Sequence, residues 1–231
     1  MTTLLSLDTA SEYCSVCLYK DGIFYDSCAN APQKHAEIII PMIDDLLKKA
    51  NVTKDSIDAI AFGRGPGSFT GVRIGVSAAQ ALALGLDVKL IGISNLKALC
   101  FDALKLKDCE FYVNVIDARM NEVYLCIYKK EQDNFKELIL ECVVPYDKAS
   151  QIINETVSND SYIIVGTGAK YLVDNGLTLK IDENNIIATA RSIMEFALID
   201  YKNNENLVDA SLGIPTYVRN EVTWKKISEQ K

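Results

Sequence analysis

The 231-residue sequence predicts an α/β protein built from two similar lobes, each reading βββαβα. Three observations carry this expectation. Apolar runs of strand type alternate with helical stripes through both halves. DTASEYCSVCLYK, starting at Asp8, aligns without a gap to DARMNEVYLCIYK, starting at Asp117, and brings Asp8/Asp117, Cys17/Cys126, Tyr19/Tyr128 and Lys20/Lys129 into register. A glycine-rich stretch, GRGPGSFTGVR from Gly63 to Arg73, joins a buried-strand run to a helix of small residues.

Strands are expected at Leu4 to Leu7, Cys14 to Tyr19 and Ile23 to Cys28, the last two joined by Asp21-Gly22, a tight-hairpin signal. From His35 to Ala50, the apolar residues Ala36, Ile39, Ile43, Leu46, Leu47 and Ala50 recur at spacings of three and four, so this segment reads as a helix with one core stripe. A strand at Ile57 to Phe62 enters the glycine stretch. There Gly63, Gly65 and Gly67 permit positive φ or close backbone approach, Pro66 stiffens the turn, and Ser68 or Thr70 caps a helix from about Gly71 to Leu84. A strand at Val88 to Ile93 and a helix capped by Ser94 complete an N-terminal lobe, residues 1–104, with the seam near Ala103 to Cys109. The C-terminal lobe, residues 105–231, repeats the order: strands at Phe111 to Ile116, Val123 to Tyr128 and Leu138 to Val143, a helix from Tyr146 to Val157, a strand at Tyr162 to Val165, then helix, strand and a helix from Thr189 to Tyr201. In its tail, Pro215 and Trp224 point to an ordered segment, whereas Lys225, Lys226 and Lys231 point to a fraying end.

With 49% hydrophobic and 24% charged residues the chain buries a large core, which excludes disorder. A formal charge of −7 argues against a broad nucleic-acid-binding face. There is no basic n-region at the start and no run of about 18 apolar residues, so neither a signal peptide nor a membrane span is expected and a cytoplasmic location is. Seven scattered cysteines fit a reducing compartment. Cys14 and Cys17 read CxxC, but in a strand their odd offset sends the thiols to opposite faces and argues against a shared zinc. His35, the single histidine, excludes sites that need two imidazoles and reads as a polar residue at a helix start. The glycine stretch is not a Walker loop, because Gly71 is followed by Val72 and Arg73.

Two βββαβα lobes around a cleft make the actin-like architecture of actin, hexokinase and Hsp70, whose members usually bind ATP between the lobes. In such ATPases the turn after each first strand is glycine-rich, so that its amides wrap phosphate. Here those turns, Thr9 to Glu12 and Ala118 to Asn121, contain no glycine. Asp8, Asp117, Arg119, Gly166 and Gly168 therefore mark a vestigial nucleotide cleft with no metal of its own. They keep an actin-fold ATPase or sugar-type kinase as the rival reading; a peptidase ranks below it, since it would have to work with one histidine. Gly71, Gly75 and Ala79, four apart on one helix face, admit a close neighbour, which is either a partner's helix or the chain's own sheet. Arg64, Arg73 and Arg119 are the candidate contacts for an anion or a partner carboxylate.

GPGSFTGVRIG at Gly65 to Gly75, the opening LLSLDTASEYCSV, HAEIIIP at His35 to Pro41, DARMNEVY at Asp117 to Tyr124 and PTYVRNEV at Pro215 to Val222 together resemble the TsaB (YeaZ) family over nearly the whole chain. The resemblance implies a non-catalytic, actin-like subunit of the bacterial machinery that places threonylcarbamoyl on adenosine in tRNAs reading codons that begin with A. It implies pairing with, and activation of, the catalytic paralogue TsaD, which carries the metal and uses an adenylate made by TsaC. TsaE, a small ATPase, joins the assembly, and the chain pairs with itself when TsaD is absent. ATP and metal are then expected on partner subunits and no cofactor on this chain; tRNA is reached only through the complex, and no membrane is involved. TsaD-like proteins hold their metal through an HxxxH helix after the strand corresponding to Val88 to Ile93, and Asn95 and Leu99 occupy those positions here. The implied pairing face lies on the helices Lys34 to Ala50 and Gly71 to Leu84, with His35, Ile39, Met42, Arg64, Phe69, Gly71, Val72, Gly75 and Ala79 as its candidate residues.

Overall fold

The structure, a computed structural model, describes residues 2–132, 134–157, 161–182 and 186–218. Trp224, Lys225, Lys226, Lys231 and the end of the PTYVRNEV motif from Arg219 to Val222 lie outside the described residues. The first half runs β1 (Thr3–Asp8), β2 (Tyr13–Lys20), β3 (Ile23–Asn30), α1 (His35–Ala50), β4 (Ala59–Gly63), α2 (Phe69–Leu86), β5 (Lys89–Ile93) and α3 (Asn95–Leu106). The second runs β6 (Phe111–Arg119), β7 (Glu122–Glu131), β8 (Asn134–Pro145), α4 (Tyr146–Thr156), β9 (Tyr162–Val165), α5 (Ala190–Asn203) and the short β10 (Leu207–Val208).

The first sheet is ordered β10-β5-β4-β1-β2-β3 and the second β8-β7-β6-β9. In both, the first strand pairs antiparallel with the second and parallel with the fourth, so the duplication is visible in the connectivity as a duplicated actin-like α/β fold. The second lobe departs from the expected pattern after β9. The expected helix is a 3-10 turn, Ala169–Asn175, and among the described residues no strand follows it before α5. Bounded by Gly168 and Gly176, the segment is too short to favour α-helix nucleation. Past it, the chain makes one strand-like bond to β9, from the Asp182 N–H to the Ile164 C=O at 2.9 Å, while Leu177 fills the core.

Every residue of β1 is buried, and alternation sorts its side chains between two cores. Leu5 and Leu7 point to an outer core with Ile39, Ile43 and Leu46 of α1 and Val72, Val76 and Ala79 of α2. Leu4 points the other way, into a central core that takes in α3, α5 and both sheets. Cys14 lies in the outer core and Cys17 in the central one, so the odd offset does separate the two thiols. By length and composition α2 is apolar enough to cross a membrane; its apolar side, Val72, Val76, Ala79 and Ala83, is buried instead in the outer core.

The central layer joins the halves. α5 follows the second sheet in sequence but packs on β1, β2, β4 and β5 of the first. Two buried hydrogen bonds pin its first residue: Ser6 Oγ donates to the Ala190 C=O at 2.6 Å, and the Ala190 N–H donates to Ser15 Oγ at 2.8 Å. A capping box between Thr189 and Ser192 satisfies the neighbouring amides. Ser6→Ala removes a second donor from a carbonyl that keeps its in-helix bond, so we expect a loss of about 0.5–1.5 kcal/mol in urea unfolding. A loss below about 0.5 kcal/mol, the range of surface substitutions, would show that this bond does not hold α5 in place.

Candidate functional site

The ends of β1 and β4 and the start of α3 meet in a polar knot beneath the glycine stretch. Asp8, 1% exposed, accepts a 2.7 Å hydrogen bond from Asn95 Nδ2 and a 3.2 Å bond from the Ala10 N–H. Asn95 Oδ1 in turn accepts from the Gly65 N–H at 2.9 Å, so one amide side chain reads the carboxylate and the loop together. Gly63 stands so close that a Cβ there would lie 2.1 Å from Asp8 Oδ1. Burial pushes the Asp8 carboxyl up to about 6, against the lowering effect of the Asn95 and Ala10 bonds.

The turn after β1 is also spoken for. Thr9 Oγ1 donates to the Gly71 C=O at 2.7 Å, and the Ala10 C=O accepts from the Ser68 N–H at 2.7 Å. Ser68 then caps α2 by accepting from the Gly71 N–H. Where an actin-fold ATPase would wrap phosphate, this chain binds its own helix terminus.

At the corresponding place in the second lobe, Asp117 is paired with Arg119 of the same turn at 3.1 Å, and its N–H donates to Thr167 Oγ1. Gly166, at φ +102°, and Gly168 pack directly on β6: a Cβ on Gly166 would stand 2.4 Å from the Val115 O, and one on Gly168 2.8 Å from Val115 Cγ1. Close packing is therefore a sufficient reason for both glycines. Among the described residues no three His, Cys, Asp or Glu side chains converge as metal ligands. A metal at Asp8 would have to displace Asn95 and Ala10 from an enclosed carboxylate, so these residues do not fit the ion that the fold family carries. His35 is buried, with Nε2 3.1 Å from the Ser11 C=O rather than from a hydroxyl, and Ser11 Oγ accepts from the Tyr13 N–H.

Between α1 and α2 lies an open groove of about 670 Å³, lined by Ala36, Ile39, Ile40, Arg73, Ile74, Ala78 and Leu82 among others. Ile40 is 43% exposed at its side and Phe69 57% exposed at the start of α2. The Arg73 guanidinium lies 3.7 Å over the Phe69 ring, and its Nε donates to the Tyr217 hydroxyl at 2.9 Å.

The small-residue stripe does not line this groove, which corrects the sequence expectation. A Cβ on Gly71 would come within 2.1 Å of the Thr9 O, one on Gly75 within 2.7 Å of Thr9 Oγ1, and Ala79 is fully buried. The close approach these residues permit is to the chain's own β1 turn. His35 and Val72 are buried as well, Met42 is half-buried against the outer core, and of the nine candidates only Ile39 is a groove residue. Arg64 is elsewhere, donating to Thr216 Oγ1 at 2.6 Å and to Glu141 at 3.2 Å. The half-buried row Ile74, Ala78 and Leu82, with exposed Ile40 opposite, was missed although its spacing of four in α2 was in plain view.

A family model described as TsaD, tRNA N6-adenosine threonylcarbamoyltransferase, matches residues 29–194. A Haemophilus influenzae protein named tRNA threonylcarbamoyladenosine biosynthesis protein TsaB is 40% identical over 236 residues, covering 97% of this chain and 97% of its own. An Escherichia coli protein of the same name is 34% identical over 233 residues, again with 97% of each chain covered. The solved structure of YeaZ from Pseudomonas aeruginosa superposes with a TM-score of 0.83 at 34% identity, covering 94% of this chain and 100% of that one.

The raised Asp8 carboxyl has a measurable consequence. Between the unfolded value of 3.8 and about 6, the folded protein holds a proton that the unfolded chain has released. Asp8 therefore lowers stability as pH rises through that window and holds the cost above it, on the order of 3 kcal/mol. Urea unfolding of the wild type and Asp8→Asn across this range should give curves that converge at the acid end and separate toward neutral pH, the wild type falling relative to the variant. Parallel curves would contradict the burial of this charge.

Proposed function

The chain belongs to the TsaB (YeaZ) family, and from that membership we propose that it is the non-catalytic subunit of a tRNA threonylcarbamoyladenosine-forming complex, pairing with a TsaD-like paralogue through the α1/α2 groove. The observation that carries this reading is the groove: two helices line it with exposed Ile40 and half-buried Ile74, Ala78 and Leu82, at the margin of the outer core that their inner sides hold. Such an open apolar surface is stabilised by a partner that removes it from water. A paralogue of the same fold carries the same two helices, and residues 29–194, which match the TsaD model, include both of them. Two such faces pack across a two-fold or pseudo-two-fold axis, which explains how one surface serves TsaD and, in its absence, a second copy of this chain.

Activation follows from selective binding. A subunit that binds the competent conformation of TsaD more tightly than the others raises the population of that conformation without contributing a group to the chemistry. The self-satisfied Asp8 knot and the Asp117–Arg119 pair support leaving ATP and metal to TsaD and TsaE. The formal charge of −7 supports tRNA contact through the complex rather than by this chain.

Reconstitution tests the function: TsaD, TsaE, TsaC, tRNA, ATP, threonine and bicarbonate are assayed with and without this chain. Modification that proceeds equally well without it rejects the subunit reading. Location is tested separately by Ile40→Asp, which puts a charge in the groove but outside the outer core. It should weaken pairing by at least roughly 2 kcal/mol, about 30-fold in Kd, with an unchanged thermal melt. Undiminished pairing would place the interface elsewhere. Gly75→Leu does not serve, since its side chain would be driven into Thr9.

A further inference from the structure

A second cavity, of about 370 Å³, lies between the lobes where the end of β5 in the first sheet meets residues of β7 and β8 in the second. Its lining carries two cations, Arg64 and Lys97, and two carboxylates, Glu137 and Asp200, and among the described residues none of these pairs with another of the four. Arg64 is occupied by Thr216 and Glu141. Lys97, half-buried in the first turn of α3, has its ammonium 5.1 Å from the centre of the Phe196 ring and makes no ion pair among the described residues. The same cavity is lined by two carboxylates: Asp200, 6% exposed and held by Asn206 Nδ2 at 2.8 Å, and Glu137, which accepts from the Tyr128 hydroxyl at 3.1 Å. Both are fixed by neutral donors and keep acceptor capacity free, because each carboxylate offers about four lone-pair sites.

This pattern selects among ligands. A simple anion meets two carboxylates, and a simple cation meets Lys97. A small zwitterion satisfies both, with its negative end also favoured by the positive end of α3, whose N-cap Ser94 and first-turn Lys97 line the cavity. The volume is at the small end of the range for ligand sites, and the ring of Phe135 supplies an apolar wall. We propose that this inter-lobe cavity binds a free α-amino acid, its carboxylate on Lys97 and its ammonium on Asp200 and Glu137. The site stands apart from the α1/α2 groove, with no lining residue in common, so its occupancy and the pairing function are tested independently.

The test uses the full chain, alone, in thermal-shift and calorimetric titrations against the proteinogenic L-amino acids, with acetate, methylammonium and inorganic phosphate as single-charge probes. One or more amino acids should give a saturable shift that the three probes do not. N-acetylation or methyl esterification of the best ligand should each weaken it at least roughly tenfold. Lys97→Met, which keeps the stem over Phe196 but removes the ammonium, should do the same, while Arg73→Ala in the groove should not. Asp200→Asn tests the other pole; if that variant does not fold, the exposed Glu137→Gln takes its place with a smaller loss. The absence of a saturable shift with any amino acid at millimolar concentration overturns the proposal, as does binding that Lys97→Met leaves intact.

Discussion

A single buried carboxylate organises the working end of this molecule. Asp8 closes β1, and its bond to Asn95 fixes the start of α3, while Asn95 passes the restraint on to the amide of Gly65. Only a side chain with a donor and an acceptor does both, which is why Asn95 suits the position and an apolar residue of the same size would leave a buried charge unpaired. From there, Thr9 and Ala10 hold the first turn of α2, and the course of α2 determines where the groove opens. The charge is held at a thermodynamic cost, seen in its raised proton affinity, so its persistence reflects what it positions rather than any net gain from burying it.

Much of the fold was legible in the sequence because two independent signals agreed. Periodicity placed the strands and long helices, and the Asp8/Asp117 alignment showed that their order repeats; in the structure Cys17 and Cys126 occupy the same central core. What failed was the last part of the second lobe, where apolar Leu177, Leu179 and Ile181 look like a strand, yet among the described residues the segment meets β9 through one backbone bond, from Asp182, and a side-chain bond from the Lys180 N–H to the Tyr162 hydroxyl. Strand residues are recognised by their faces, but a strand exists only where a neighbour supplies a ladder, and that neighbour is a tertiary fact.

The candidate site was legible in its components and misread in its orientation. Gly71, Gly75 and Ala79 announce that something approaches α2 closely; they do not say what. Here the visitor is Thr9, from the chain's own β1 turn, and the groove falls to the larger neighbours Ile74, Ala78 and Leu82. Asn95 was noticed as a residue that does not replace a histidine ligand, yet its actual work, joining Asp8 to Gly65, links residues far apart in the chain and leaves no local pattern. Arg64 likewise gave no hint that its partners would be Glu141 and Thr216.

The same bonds bear on the proposed role of a subunit that contributes no group to the chemistry. From the buried side of α2, Gly71 bonds Thr9, Asp8 bonds Asn95 at the start of α3, and the Leu96 C=O accepts from Asn114 Nδ2 of β6 at 2.8 Å, so a nearly continuous polar chain crosses from the outer helix of one lobe into the sheet of the other. Contiguity of this kind is not evidence of signalling, which needs an element with two arrangements. What it does provide is stiffness: a groove whose walls are tied to both sheets gives way little when a partner docks. A stiff surface discriminates between conformations of that partner more sharply than a yielding one, because it does not relax to meet the wrong conformation. Under the proposed function, the turns occupied by the chain's own bonds would also stiffen the surface offered to a catalytic relative.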